Sequence, residues 1–139
     1  MKINSPLQQA LHIALKLSLP VFPCRPNKSP YTKNGFKDAT IDVTKIKNFW
    51  LKFPDALIGV PTGKISNLFV IDIDMSDSKS GEYTFEKLGF EDPDTLQTIT
   101  KNNGRHLIFK YDETIPQKNT VQTLFGKDID TRGDNGYII

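Results

Sequence analysis

Leu68-Phe69-Val70-Ile71-Asp72-Ile73-Asp74-Met75 sets two carboxylates two residues apart inside a run that is otherwise apolar and rich in β-branched residues. In a strand, alternate side chains share a face, so Asp72 and Asp74 point the same way, roughly 6.5 to 7 Å apart along the chain. Two like charges that are half-buried and unpaired cost several kcal/mol. A cation, typically Mg²⁺ or Mn²⁺, or a basic group has to offset them. Carboxylate pairs of this kind begin metal sites for phosphoryl or nucleotidyl transfer. An Asp-x-Asp at a strand end also occurs where a solvated loop simply starts, so the rest of the chain must decide between the two.

Two other motifs are excluded on their chemistry. The loop from Asp72 onward has the acidic spacing of an EF-hand, but the sharp turn at position six needs Gly and the bidentate ligand at position twelve needs Glu. Asp77 and Tyr83 stand there instead. Gly59-Val60-Pro61-Thr62-Gly63-Lys64-Ile65 resembles a phosphate-binding loop, yet it is one residue short, Ile65 replaces the magnesium-binding hydroxyl, and a strand rather than a helix follows.

Working outward, the remaining elements are read from period and punctuation. Ser5-Pro6 offers an N-cap with Pro at the first helical position, and Leu7, Ala10, Leu11, Ala14 and Leu15 recur at helical spacing up to Pro20. Val21 to Cys24 reads as a short strand. The Pro/Gly/Asn-punctuated stretch that follows carries Arg25, Lys28, Lys33 and Lys37, and is too long to be a mere connector. Asp42 precedes a helix whose Ile46, Phe49, Trp50 and Phe53 form one face, closed by Pro54.

Strands are then expected at Ala56 to Val60, Leu68 to Met75, Thr95 to Thr100, Arg105 to Tyr111 and Asp128 to Arg132. A helix lies over Gly81 to Leu88, a polar loop runs through Pro116, and Gly133-Asp134-Asn135-Gly136 turns the chain into Tyr137. This order predicts an α+β domain with an antiparallel or mixed central sheet, helices on one side and an open polar face. The 139 residues suit a single domain. Tyr137-Ile138-Ile139 reads as a strand barely begun, so continuation of the domain beyond Ile139 is expected.

Composition narrows the function. A net charge of +2 argues against coating nucleic acid by charge alone, while leaving room for a local basic surface. The single Cys24 rules out an internal disulfide and any multi-cysteine zinc site. No stretch approaches the length of a membrane span, and the default compartment is a reducing cytoplasm.

Three strands carry ionisable residues in apolar or alternating patterns. His106 shares a face with Ile108 and Lys110, whereas Arg105 points with Leu107 and Phe109. Asp128, Asp130 and Arg132 share a face on the last strand. Carboxylates from two strands, a His from a third and an Arg beside the last acid make a two-metal nucleotide site, with metals offsetting phosphate charge and His and Arg donating to phosphate oxygens. The structural alternatives are a core histidine bonded to a carbonyl and an Asp130 that caps the Gly133–Gly136 turn. Asp128 fits that capping part better than a metal ligand.

The order Val21-Phe-Pro-x-x-Pro-x-Lys28-x-Pro, Lys37-Asp-Ala-Thr40-x-Asp42, Phe49-Trp50, Pro54, Ile58-Gly-Val-Pro-Thr-Gly63, Val70-Ile-Asp72-Ile-Asp74, Gly104-Arg-His106 and Asp130-Thr-Arg-Gly133-Asp-x-Gly-Tyr137 resembles the bifunctional DNA primase/polymerase N-terminal domain of the archaeo-eukaryotic primase superfamily. The similarity runs from about Pro20 to the last residue. It implies a catalytic core with an RNA-recognition-motif-like sheet and an α/β companion unit. It also implies template-directed synthesis and extension of primers from nucleoside triphosphates on single-stranded DNA, with Mg²⁺ or Mn²⁺, on a plasmid, phage or integrated element.

By motif, Asp72, Asp74 and Asp130 correspond to the catalytic, metal-binding acids and His106 to the nucleotide-contacting histidine. Lys28 and Arg132 fall at basic positions assigned to triphosphate or template. The family normally continues with further helices and often a helicase domain, and no cysteine-rich zinc motif accompanies the site here. Two other functions compete: a catalytically incomplete nucleic-acid-binding module on the same scaffold, and a metal-dependent nuclease.

Overall fold

The computed structural model describes residues 5–89, 91–100, 102–114 and 117–139. Part of the polar loop expected through Pro116 therefore lies outside the described residues. The elements run α1 Pro6–Lys16, β1 Phe22–Cys24, a 3-10 turn Gly35–Asp38, α2 Val43–Lys52, β2 Leu57–Pro61, β3 Leu68–Ile73, α3 Gly81–Lys87, β4 Leu96–Ile99, β5 Arg105–Lys110, β6 Thr120–Val121, β7 Ile129–Arg132 and β8 Tyr137–Ile138. Every strand pairing among them is antiparallel, which settles the antiparallel-or-mixed alternative for the described residues. The fold is α+β.

The chain divides into two compact units, residues 1–61 with 137–139, and residues 62–136. In the first, β1, β2 and β8 form a three-stranded sheet in that order. Helix α1 starts where Ser5 accepts from the Gln8 N–H while the Gln8 side chain accepts from the Ser5 N–H, a reciprocal cap that satisfies two otherwise orphaned donors. Its buried stripe is narrower than the spacing predicts: Ala10 and Ala14 are buried and Leu15 is exposed. Helix α2 is capped by the Asp42 carboxylate, which accepts from the Lys45 N–H, and it packs against α1 and β1 through Ile46 and Trp50. Phe49 and Phe53 of the same predicted face remain half-buried. Cys24 is buried and its thiol is pushed up to about 12 by desolvation, which leaves it chemically quiet.

The second unit is a five-stranded sheet in the order β4-β5-β3-β7-β6. Ile71 and Ile73 of β3, Leu107 of β5 and Ile129 of β7 point to one face and bury against Phe85 of α3, with Phe69, Phe109 and Phe125 at the margin. One helix on one face leaves the opposite face of β3 for Val70 and Asp72, as period-2 alternation requires. Strand β6, only two residues long, carries too little pattern to be predicted.

Candidate metal centre

Register places the acids. β3 is the central strand, and Asp72 lies directly opposite His106 on β5 and directly opposite Asp130 on β7. Asp130 and Arg132, two apart on β7, share that face. Asp74 follows the last residue of β3, and its N–H donates to the Asp128 carbonyl at 2.8 Å, which holds it in line with the strand. One carboxylate oxygen from each of Asp72, Asp74 and Asp130 lies within 4.8 Å of the others. Like charges opposed across antiparallel strands destabilise a sheet. Three of them in one place are a cost that a bound cation removes.

Each acid also has its own basic neighbour. His106 Nε2 is 3.4 Å from Asp72 Oδ1, Lys79 Nζ is 3.6 Å from Asp74 Oδ2, and an Arg132 terminal nitrogen is 3.3 Å from Asp130 Oδ2. These contacts do not saturate the carboxylates. Asp72 Oδ1 is buried and has no hydrogen bond, because the His106 approach falls within ion-pair range but lacks hydrogen-bond geometry. Asp74 is held above the usual carboxylate range, chiefly by desolvation and then by the Asp72 charge, with Lys79 pulling the other way and Asp130 adding to the rise. An unsatisfied buried oxygen and three converging hard oxygen donors fit a hard metal cation.

The predicted site residues are brought together on one sheet face with one exception. Asp72, Asp74, Asp130, His106 and Arg132 belong to the second unit, whereas Lys28 is an exposed residue of the first, with φ of 74° and a carbonyl that accepts from the Tyr137 hydroxyl at 2.8 Å. The Arg132 guanidinium also donates to the Thr131 and Thr120 carbonyls, so it is braced on the sheet beside Asp130.

Asp128 has a different part from the one its spacing suggests. It lies away from the Gly133–Gly136 turn, where Asp134 serves by accepting from the Lys64 N–H and the Tyr111 hydroxyl. The buried Asp128 carboxylate accepts from the Ser80 N–H at 2.9 Å, and its own N–H donates to Gln122 Oε1, while the Gln122 N–H donates to Asp130 Oδ1. Asp128 and Gln122 thus tie the backbone of Asp74 and the side chain of Asp130 into one network, both in the left-handed region at φ of 64° and 55°. Gly81 N–H donates to the Asp74 carbonyl at the same place. A Cβ on Gly81 would come within 2.5 Å of the Asp128 carbonyl and 2.7 Å of that of Asp74.

Three participants escape a reading of the sequence. Lys79, Gln122 and Gly81 sit in polar loops or at a helix start, without periodicity to mark them. Arg105, on the face of Leu107 and Phe109 as expected, lies over the Phe85 ring, grips Glu82 of α3 with two nitrogens and reaches Asp92 and Gln97.

Three acids converging on one face of an antiparallel sheet, with a histidine and an arginine alongside, make a candidate metal site. The chain belongs to the bifunctional DNA primase/polymerase N-terminal domain family, whose model matches residues 10–139. Membership implies a primase/polymerase-type nucleotidyltransferase acting on DNA and nucleotides. No curated protein gives a match. Among the described residues, no helix is long and apolar enough to cross a membrane.

Proposed function

We propose that this chain is a DNA-dependent nucleotidyltransferase that synthesises and extends primers on a single-stranded template. The observation that carries this reading is the convergence of Asp72, Asp74 and Asp130 within 4.8 Å, flanked on the same sheet face by His106 and Arg132, in a chain of the primase/polymerase family. Asp72, Asp74 and Asp130 would hold Mg²⁺ or Mn²⁺. A divalent cation bound there would polarise the attacking 3′-hydroxyl and offset the charge of the α-phosphate and the leaving pyrophosphate.

The chain's own residues supply the rest. His106 and Arg132 donate to phosphate oxygens of the incoming nucleoside triphosphate, which aligns the α-phosphate with the primer end. Entry of the triphosphate gives Arg132 a second anionic partner beside Asp130. Lys28 is assigned to triphosphate or template. A replicative helicase, as a domain or a subunit, is the partner this activity calls for, since priming needs unwound template.

The test is incubation with a single-stranded template, labelled nucleotides and Mn²⁺ or Mg²⁺, with products resolved by length. Templated products longer than the primer, or made without one, support the reading. Shortened template would identify a nuclease. Unchanged nucleic acid that is nevertheless retained by the protein would identify a binding module.

A further inference from the structure

The charge of the chain is divided unevenly. Residues 1–61 carry nine Lys and Arg against three Asp, a balance of +6, while residues 62–136 carry nine basic against thirteen acidic residues, a balance of −4. A net charge of +2 therefore conceals a strongly basic first unit. Such segregation is the electrostatic footprint of a polyanion surface.

Within that unit, a cavity of about 490 Å³ lies between the 3-10 turn and α2, lined by Lys37, Asp38, Ala39, Thr40, Lys45, Asn48 and Phe49. Its size falls in the range of small-ligand pockets, about 300–1,000 Å³. Neither Lys37 nor Lys45 has an ion-pair partner among the described residues. Of the nearby acids, Asp38 lines the same cavity, its carboxylate accepting from the Asn34 N–H and side-chain amide, and the Asp42 carboxylate caps α2. Two ammonium groups without an ion-pair partner, one carboxylate bonded to Asn34, a side-chain amide able to donate and accept, and a half-buried ring thus surround one space.

The loop after β1 is held by contacts of its own. Arg25 donates to the Pro30 carbonyl and lies 4.8 Å from the Tyr31 ring centroid, and Tyr31 stacks on Phe53 at 4.0 Å.

We propose that this cavity is a template site, distinct from the acidic centre, that takes one nucleotide of single-stranded DNA with its base against Phe49 and Asn48 and its flanking phosphates on Lys37 and Lys45. A base can reach a ring inside a cavity only when it is unstacked, which selects single strands over duplex. The proposal rests on the primase/polymerase reading for the identity of the polyanion.

The experiment measures binding of a fluorescent oligothymidylate as a function of salt, without divalent metal or nucleotide, so that it is independent of catalysis. Lys37→Gln with Lys45→Gln should lower the salt slope by roughly 1.4, the value for two single-strand phosphate contacts. Phe49→Leu, which keeps apolar bulk but removes the ring, should weaken binding at least about fivefold, the lower end for one stacked base. Lys47→Gln on the same helix, outside the cavity, should leave the slope unchanged. Wild-type slope in the double variant overturns this site while leaving nucleotidyl transfer untouched. Failure of the wild-type chain to bind the oligonucleotide overturns both, and displacement of the oligonucleotide by metal-free nucleoside triphosphate with equal dependence on Lys37 and Lys45 would reassign the cavity to free nucleotide.

Discussion

Asp72 and Asp130 stand directly opposite each other on neighbouring antiparallel strands, with no residue of opposite charge interposed in the register. Directly opposed like charges destabilise a sheet. Asp72→Asn with Asp74→Asn should therefore raise the melting temperature in metal-free buffer by a few degrees while abolishing nucleotide incorporation. Mn²⁺ at about 100 times its Kd should stabilise the wild type by roughly 2.7 kcal/mol and the double variant not at all. Thermal melts with and without Mn²⁺ measure both effects. A double variant that still incorporates nucleotide at the wild-type rate would remove these acids from the site.

Protons would compete with a metal bound at Asp74. Because burial and the neighbouring acids raise its pKa, the carboxyl begins to protonate at a higher pH than an ordinary aspartate. Apparent Mn²⁺ affinity should accordingly fall on acidification from above the usual carboxylate range, by titration calorimetry across pH 7 to 4. Asp74→Asn should weaken binding at neutral pH and flatten this profile. A profile unchanged by the substitution would contradict the assignment.

His106 is buried and faces Asp72, so a nucleotide-binding part and a packing part predict different losses. His106→Ala should weaken nucleoside triphosphate binding by about 1–3 kcal/mol, the scale of a charge-assisted hydrogen bond. Unchanged nucleotide affinity with a large drop in melting temperature would make it a core residue.

Asp134 sets a separate pH dependence. Its carboxyl is held below the ordinary range, first by the Lys64 N–H and then by the Tyr111 hydroxyl. A depressed folded-state value means that the stabilisation is fully present above the unfolded carboxylate pKa, about 3.9, and is lost as pH falls through the lower folded value. Urea melts of wild type and Asp134→Asn should differ at pH 6 and converge at the acid end. Curves that stay parallel throughout would show that the carboxylate charge is not what holds this turn.

Gly81 tests the network behind the acids. Gly81→Ala forces a Cβ against the Asp128 and Asp74 carbonyls, and overpacking of this kind costs about 1–3 kcal/mol. Catalysis should fall further than stability accounts for, because Asp74 is displaced with its own carbonyl. Specific activity measured well below the melting temperature separates the two, and an alanine variant of wild-type activity would detach Gly81 from the site.

How much of this was legible follows from the range of each signal. The Asp72-x-Asp74 alternation is local, and period 2 alone puts both acids on one face opposite Ile71 and Ile73. The same rule aligned His106 with Lys110 and Asp130 with Arg132. What period 2 cannot specify is which strands lie side by side, so the apposition of Asp72 with His106 and Asp130 is not legible in the spacing. Asp128 departs from its expected capping part for a related reason: its partner, the Ser80 N–H, is 48 residues away, and a non-glycine at positive φ leaves no mark in sequence. Lys79 is invisible because an ion pair across a short polar loop imposes no pattern on either neighbour.

The central position of β3 has a consequence for how the protein fails. Its backbone amides are bonded on both sides, to β5 and to β7, while β4 and β6 form the margins of the sheet. Hydrogen exchange should therefore be slowest along Val70 to Ile73 and fastest in the marginal strands, since local opening starts where bonds face solvent. The strand bearing Asp72 lets go only when the whole five-stranded unit does. Fraying of the margins can proceed without moving that carboxylate, so loss of activity on warming should track global unfolding of this unit and not precede it.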